Sequence, residues 1–237
     1  MNEAIKRAIE DYNKAAKAHT AAAKKARELD EVERKAWNAI KGTGSSFFKR
    51  CEEQPELYAE AHKASDAATK ARKAADIKKA VLMAASNNAA YIAADALRTA
   101  IKATPEKFSA PTHYKKFSEA IAEIVGDDFY LETRYCIHIH FRPGSYGHDT
   151  AFVCELDRNG QKIDLSSLEK HEPGRQFPTL KEIEAEAKKA ARDAEKIRKI
   201  YKEAEAKSEA IKNSYRSNIK YYIPHIFGGL KDDYRLF

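Results

Sequence analysis

The chain has 237 residues, of which 33% are charged and 43% hydrophobic, with a formal net charge of +7. Nine Gly, seven Pro and three Cys are too few for collagen-like, low-complexity or disulfide-framework classes. Unpaired thiols of this kind and a charged first turn without an apolar leader predict a soluble, cytoplasmic protein, and no apolar run reaches the eighteen or so residues of a membrane span.

Three segments free of Gly and Pro hold most of the Ala, Lys and Glu, which are strong helix formers. The first predicts a helix over 2–41. Ile5, Tyr12, His19 and Ala26 fall seven apart, beside Ile9, Ala16 and Ala23, and Trp37 and Ile40 are expected to pack near its end. Gly42 and Gly44 stop it, and Ser45 or Ser46 would cap a short connector helix near 45–53 through Phe47, Phe48 and Cys51. Pro55 suits the first turn of a second long helix over 55–104. Its seam runs Leu57, Ala61, Ala64, Ala68 and Ala71, then on through Val81, Ala84, Tyr91, Ala94, Leu97 and Ile101.

Pro105 ends that helix, and a shorter one is expected from Thr112 to Val125. Phe117, Ile121 and Ile124 share one face, and Gly126 is the stop. From Asp128 the apolar period drops from 3.6 to 2. Phe129, Leu131, Tyr135, Ile137, Ile139 and Phe141 alternate with Tyr130, Glu132, Arg134, Cys136, His138 and His140. A second alternating run ends at Asn159-Gly160, a strong hairpin turn signal. That turn would set Leu156 opposite Ile163 and Cys154 opposite Leu165, with Phe152, Cys154, Leu156, Ile163 and Leu165 on one apolar face. Pro178 followed by Thr179-Leu180-Lys181-Glu182 is a capping box that opens a third long helix over 179–222. Ile183, Ala190, Ile197, Ala204 and Ile211 form one seam of it, and Ala187, Ala194, Tyr201, Ser208 and Tyr215 the other.

Alternating steps of three and four are the requirement of a coiled coil. The fold expected is mainly α: an elongated antiparallel three-helix coiled-coil bundle. A small α+β cap, an antiparallel sheet of about three strands, is inserted between the second and third long helices. In domain terms, 1–104 holds two helices and the connector. Residues 105–178 form the cap with a hairpin loop at 142–149, and 179–237 the third helix with a basic, aromatic tail.

Three places carry possible chemistry. Cys136, His138 and His140 share one strand face as weak metal candidates. Successive side chains lie roughly 6.5–7 Å apart, so a transition metal would need further ligands from elsewhere. A polar strand surface is the preferred reading, so no metal, cofactor or catalytic residue is assigned. The loop 142–149 mixes Gly hinges with Arg142, Tyr146 and His148, as recognition loops do. From Ile211 to Lys231 there is no acidic residue, and Lys212, Arg216 and Lys220 interleave with Tyr215, Tyr221 and Tyr222. That composition serves protein hot spots as well as phosphate contacts.

A seam dominated by Ala offers little room for a concave pocket. The expected function is therefore a non-enzymatic adaptor, inhibitor or assembly component. It would present its β cap, loop and basic tail (Arg142, Tyr146, His148, Lys212, Arg216, Lys220, Tyr221 and Tyr222) to a protein or nucleoprotein. Nucleic-acid binding through the basic shaft and tail is one alternative. A metal-dependent enzyme with ligands on the 136–140 strand is the other. Self-association through the coiled coil is open, and no membrane partner is expected.

Overall fold

A computed structural model describes residues 2–40, 49, 52–108, 114–133, 136–144, 149–157, 162–168 and 177–218. The structure is mainly helical with one small antiparallel sheet. Its helices are α1 (Glu3–Ala39), α2 (Pro55–Ala103), α3 (Tyr114–Val125) and α4 (Leu180–Asn218). The strands are β1 (Phe129–Thr133), β2 (Cys136–Phe141) and β3 (Thr150–Glu155), in the order β1-β2-β3. Residues 1–188 and 189–237 form two compact units. The connector near 45–53 with Phe47, Phe48 and Cys51, the Asn159-Gly160 turn, and Tyr146, His148, Lys220, Tyr221 and Tyr222 lie outside the described residues.

The helix boundaries follow local chemistry. The Asn2 side chain accepts from the Ala4 amide at 2.9 Å and starts α1, and Pro55 occupies the first turn of α2. Gly126, at φ 88°, closes α3 with its amide on Ala122 O at 2.9 Å, a left-handed conformation that glycine adopts without penalty. The capping box of α4 is complete. The Thr179 amide donates to Glu182 Oε2 at 2.8 Å, and the Glu182 amide donates back to Thr179 Oγ1 at 3.3 Å.

In the first unit α1 and α2 run antiparallel. Trp37, late in α1, meets Tyr58 and His62, early in α2, while Arg72 pairs with Asp30 and Glu33. Trp37, Leu57, Ile40 and Ala61 form a small cluster of their own at that end. Toward the other end, the main core gathers Ile5, Ala8, Tyr12 and Ala15 of α1 with α2 residues from Val81 to Ile101. Just over half of these buried side chains are Ala, which removes little area from water, so the larger residues must come from elsewhere. They come from the sheet and its flanks: Phe141, Ile137, Ile139, Val153, Phe108 and Leu168 are all essentially buried. The sheet thus lies along the second half of α2. Ile121 and Val125 of α3 and Ile183 of α4 complete the same core. Lys78 of α2 and Glu184 of α4 form an ion pair at 2.7 Å.

Two sequence expectations need correction. Leu156 does bridge Ile163, but Leu165 does not face Cys154. Asp164 Oδ1 accepts from the amide of Ser166 at 2.9 Å, and Ser167 Oγ donates to Asp164 O at 2.6 Å, which turns the chain into a 3₁₀ turn over Leu165–Leu168. Leu165 is left exposed while Leu168 is buried. Phe152 is also on the other face. Ile137 pairs with Cys154 but His138 pairs with Phe152, so Val153 is an extra residue on β3. This β-bulge resets the alternation: Ala151, Val153 and Cys154 point into the core, and Phe152 joins the outer face.

In the second unit, the α4 seam residues Ala190, Ala194, Ile197, Tyr201, Ala204, Ser208 and Ile211 are exposed. No helix among the described residues is long and apolar enough to cross a membrane.

Candidate functional site on the outer sheet face

Strand alternation makes β2 two-faced. Ile137, Ile139 and Phe141 are buried, while Cys136, His138 and His140 line the outer face at intermediate burial. Register brings Tyr130 and Glu132 of β1 alongside on one side, and Thr150 and Phe152 of β3 on the other. The outer face is thus an aromatic and imidazole surface whose core-facing side is hydrocarbon.

Its centre is His140. The imidazole stacks on the Tyr130 ring at 4.6 Å with an interplanar angle of 8°. Nδ1 lies 2.9 Å from Thr150 Oγ1, and Nε2 lies 3.3 Å from Glu132 Oε2, in ion-pair range but poorly aligned for a hydrogen bond. Next along the face, His138 meets the Phe152 ring edge to face at 5.7 Å, and Cys136 Sγ lies 3.5 Å from His138 Nδ1. The imidazoles therefore point to different partners, His140 toward Thr150 and Glu132, His138 toward Cys136. Among the described residues, no three His, Cys, Asp or Glu side chains are grouped to hold a metal ion.

Arg142 extends this row one residue past β2. Its amide donates to Asp128 O at 2.7 Å, and its guanidinium carbon stands 5.7 Å over the Tyr130 ring. Arg142, Tyr130 and His140 form a cation–aromatic–imidazole stack at the sheet edge. The loop that begins here is tied to the helices. Tyr12 of α1 donates its hydroxyl to Pro143 O and sets its ring edge against Phe141 at 4.8 Å. Gly144 passes so close to Ser86 of α2 that a Cβ there would run into Ser86 Oγ and Asp149 Cβ. The base of the loop is rigidly set against both long helices.

A different fixture holds the bulge. Arg98 of α2 donates from Nη1 to Phe152 O at 2.6 Å and pairs with Asp95. Cys154 is fully buried beside it, and burial pushes its thiol up to about 12, so it stays protonated and inert. Where α1, α2 and the start of α4 meet, a cleft of about 190 Å³ is lined by Arg7, Asp11, Asn88, Phe177, Thr179 and Ile183.

Of the residues singled out in the sequence, the structure brings Arg142 together with Cys136, His138 and His140 along one row. Lys212 and Arg216 belong to α4 in the second unit. Tyr130, Glu132, Thr150 and Phe152 were not singled out as site residues. Alternation already put Tyr130 and Glu132 on the His face, whereas the bulge hid Phe152. The chain matches no protein-family model, no curated protein and no solved structure.

Proposed function

We propose that the chain is a non-enzymatic binding protein whose outer sheet face, edged by Arg142, docks a protein or nucleoprotein partner in the cytoplasm. The supporting observation is the Arg142–Tyr130–His140 stack. Tyr130 is 43% exposed on a rigid strand, with its ring already engaged by His140 and Arg142. A ring so engaged offers its edge and hydroxyl, which suits a protein hot spot better than base stacking, for which a free face is needed. Glu132 within the same face would also repel a phosphate backbone. Tyr146 and His148 of the loop, and Lys212, Arg216, Lys220, Tyr221 and Tyr222 of the tail, are proposed as separate partner contacts.

The test is quantitative capture of host proteins by the full chain, compared with Tyr130→Ala and Arg142→Ala variants. A protein enriched by the wild type should be lost from both variants while their circular dichroism is unchanged. Undiminished capture by both variants would refute the sheet-face reading. Tight binding of a labelled oligonucleotide that falls steeply with salt would instead favour the nucleic-acid alternative.

A further inference from the structure

Among the described residues, α4 beyond Lys188 carries an exposed apolar seam. Ile197 is 53% exposed, Ile200 65%, Tyr201 72% and Ile211 58%. Ala194, Ile197, Tyr201, Ala204, Ser208 and Ile211 recur at alternating steps of three and four, the period of a two-helix coiled coil, and Ile200 flanks them. The remaining positions are mostly charged, so the apolar stripe is narrow. A narrow stripe of this kind is matched by one helix rather than by a globular core.

We propose that this seam is an interaction surface for a second copy of the same helix, packed antiparallel. Two properties of the seam select that occupant and that orientation. The first is size. Antiparallel pairing centred between Lys202 and Glu203 sets Ile197 across from Ser208, Tyr201 across from Ala204, and Ile211 across from Ala194. Every layer then joins one large and one small side chain, which fills the interface evenly. Parallel pairing instead stacks Tyr201 on Tyr201 and leaves Ala204 facing Ala204 and Ser208 facing Ser208. The second is charge. In the antiparallel register the flanking Arg198 of one copy lies beside Glu205 of the other, and the two-fold axis repeats the pair. Flanking pairs of this kind set partner choice and orientation in coiled coils. The inference is independent of the sheet-face reading, since it uses no residue of that face.

The experiment is sedimentation equilibrium of the full chain over a wide concentration range. The wild type should approach twice the mass of one chain as concentration rises. Ile197→Asp with Tyr201→Asp should stay monomeric at every concentration with unchanged helicity. Arg198→Glu should weaken the dimer about tenfold, the effect of two flanking pairs turned repulsive, and adding Glu205→Arg should restore it. For orientation, a nitroxide is placed on Ala210→Cys with Cys51 and Cys136 changed to Ser. An antiparallel pair offsets the two labels by about 20 Å along the axis, whereas a parallel pair sets them level, so the antiparallel label distance is the longer of the two. A wild type that remains monomeric, a dimer indifferent to the seam and charge variants, or labels at the parallel spacing would each overturn the proposal.

Discussion

Two helical stretches of similar length and alanine content meet opposite fates. Residues 81–101 of α2 are buried at Val81, Leu82, Ala85, Ser86, Ala89, Ala90, Ala93, Ala94, Leu97 and Ile101, whereas none of residues 190–211 of α4 is buried. The first stretch contains two charged residues, Asp95 and Arg98, and the second contains eleven. Low charge leaves α2 a broad apolar face, wide enough to take α1 on one side and the sheet on the other. High charge narrows α4 to a single stripe. Spacing alone shows that a helix has a seam, while the width of the seam shows what kind of partner it takes.

The largest expected effect lies in the shared core. Phe141→Ala should lower unfolding free energy by about 3–5 kcal/mol in urea titration, since its ring is wholly buried against Tyr12 and Phe129. Tyr201→Ala, assayed at low concentration, should change stability by no more than about 0.5 kcal/mol. Comparable losses at both positions would erase the contrast between the stretches. Next in size, Arg98→Ala should cost about 1.5–3 kcal/mol by removing the charged donor from the Phe152 carbonyl at the bulge. Arg192→Ala on exposed α4 should be near neutral by the same assay.

Ser86→Ala should act in the opposite direction. Ser86 Oγ is buried without a hydrogen-bond partner, so its removal should raise stability by about 1 kcal/mol. A loss of stability there would mean that the hydroxyl has a function at the Gly144 approach. The smallest effect concerns pH. The Glu184 carboxyl is held down to about 2 by its hydrogen bond to Lys78, then by that to Lys188. A carboxyl whose pKa is depressed by folding adds stability above its ordinary 4.5, and that increment is lost as pH falls toward 2. The pair is partly solvated and the increment correspondingly small. Glu184→Gln should flatten the acid limb of the stability profile, and an unchanged limb would count against the α2–α4 tie.

Much of the local structure was legible in the residues. Pro55, Gly126 and the Thr179–Glu182 box mark helix ends because each satisfies or relieves a specific backbone group. Period-two alternation separated Ile137, Ile139 and Phe141 from His138 and His140. The bulge at Val153 was not legible, because an inserted residue leaves the alternating pattern intact on both sides and only shifts its phase. Leu165 was misplaced for a related reason: the Asp164 turn depends on side-chain hydrogen bonds that compete with the strand. The site was legible as far as one strand's face, Cys136 to Arg142. The neighbours that give it character, Tyr130 stacked on His140 and Phe152 against His138, depend on register between strands.

The contrast between the two helical stretches is tested most directly by amide hydrogen exchange on the full chain at low and high protein concentration. Amides of 81–101 should be strongly and equally protected at both concentrations, because their partners belong to the same chain. Amides of 190–211 should exchange quickly in dilute solution and slow markedly as concentration rises. Protection of 190–211 that does not vary with concentration, whether high or low, would contradict the account.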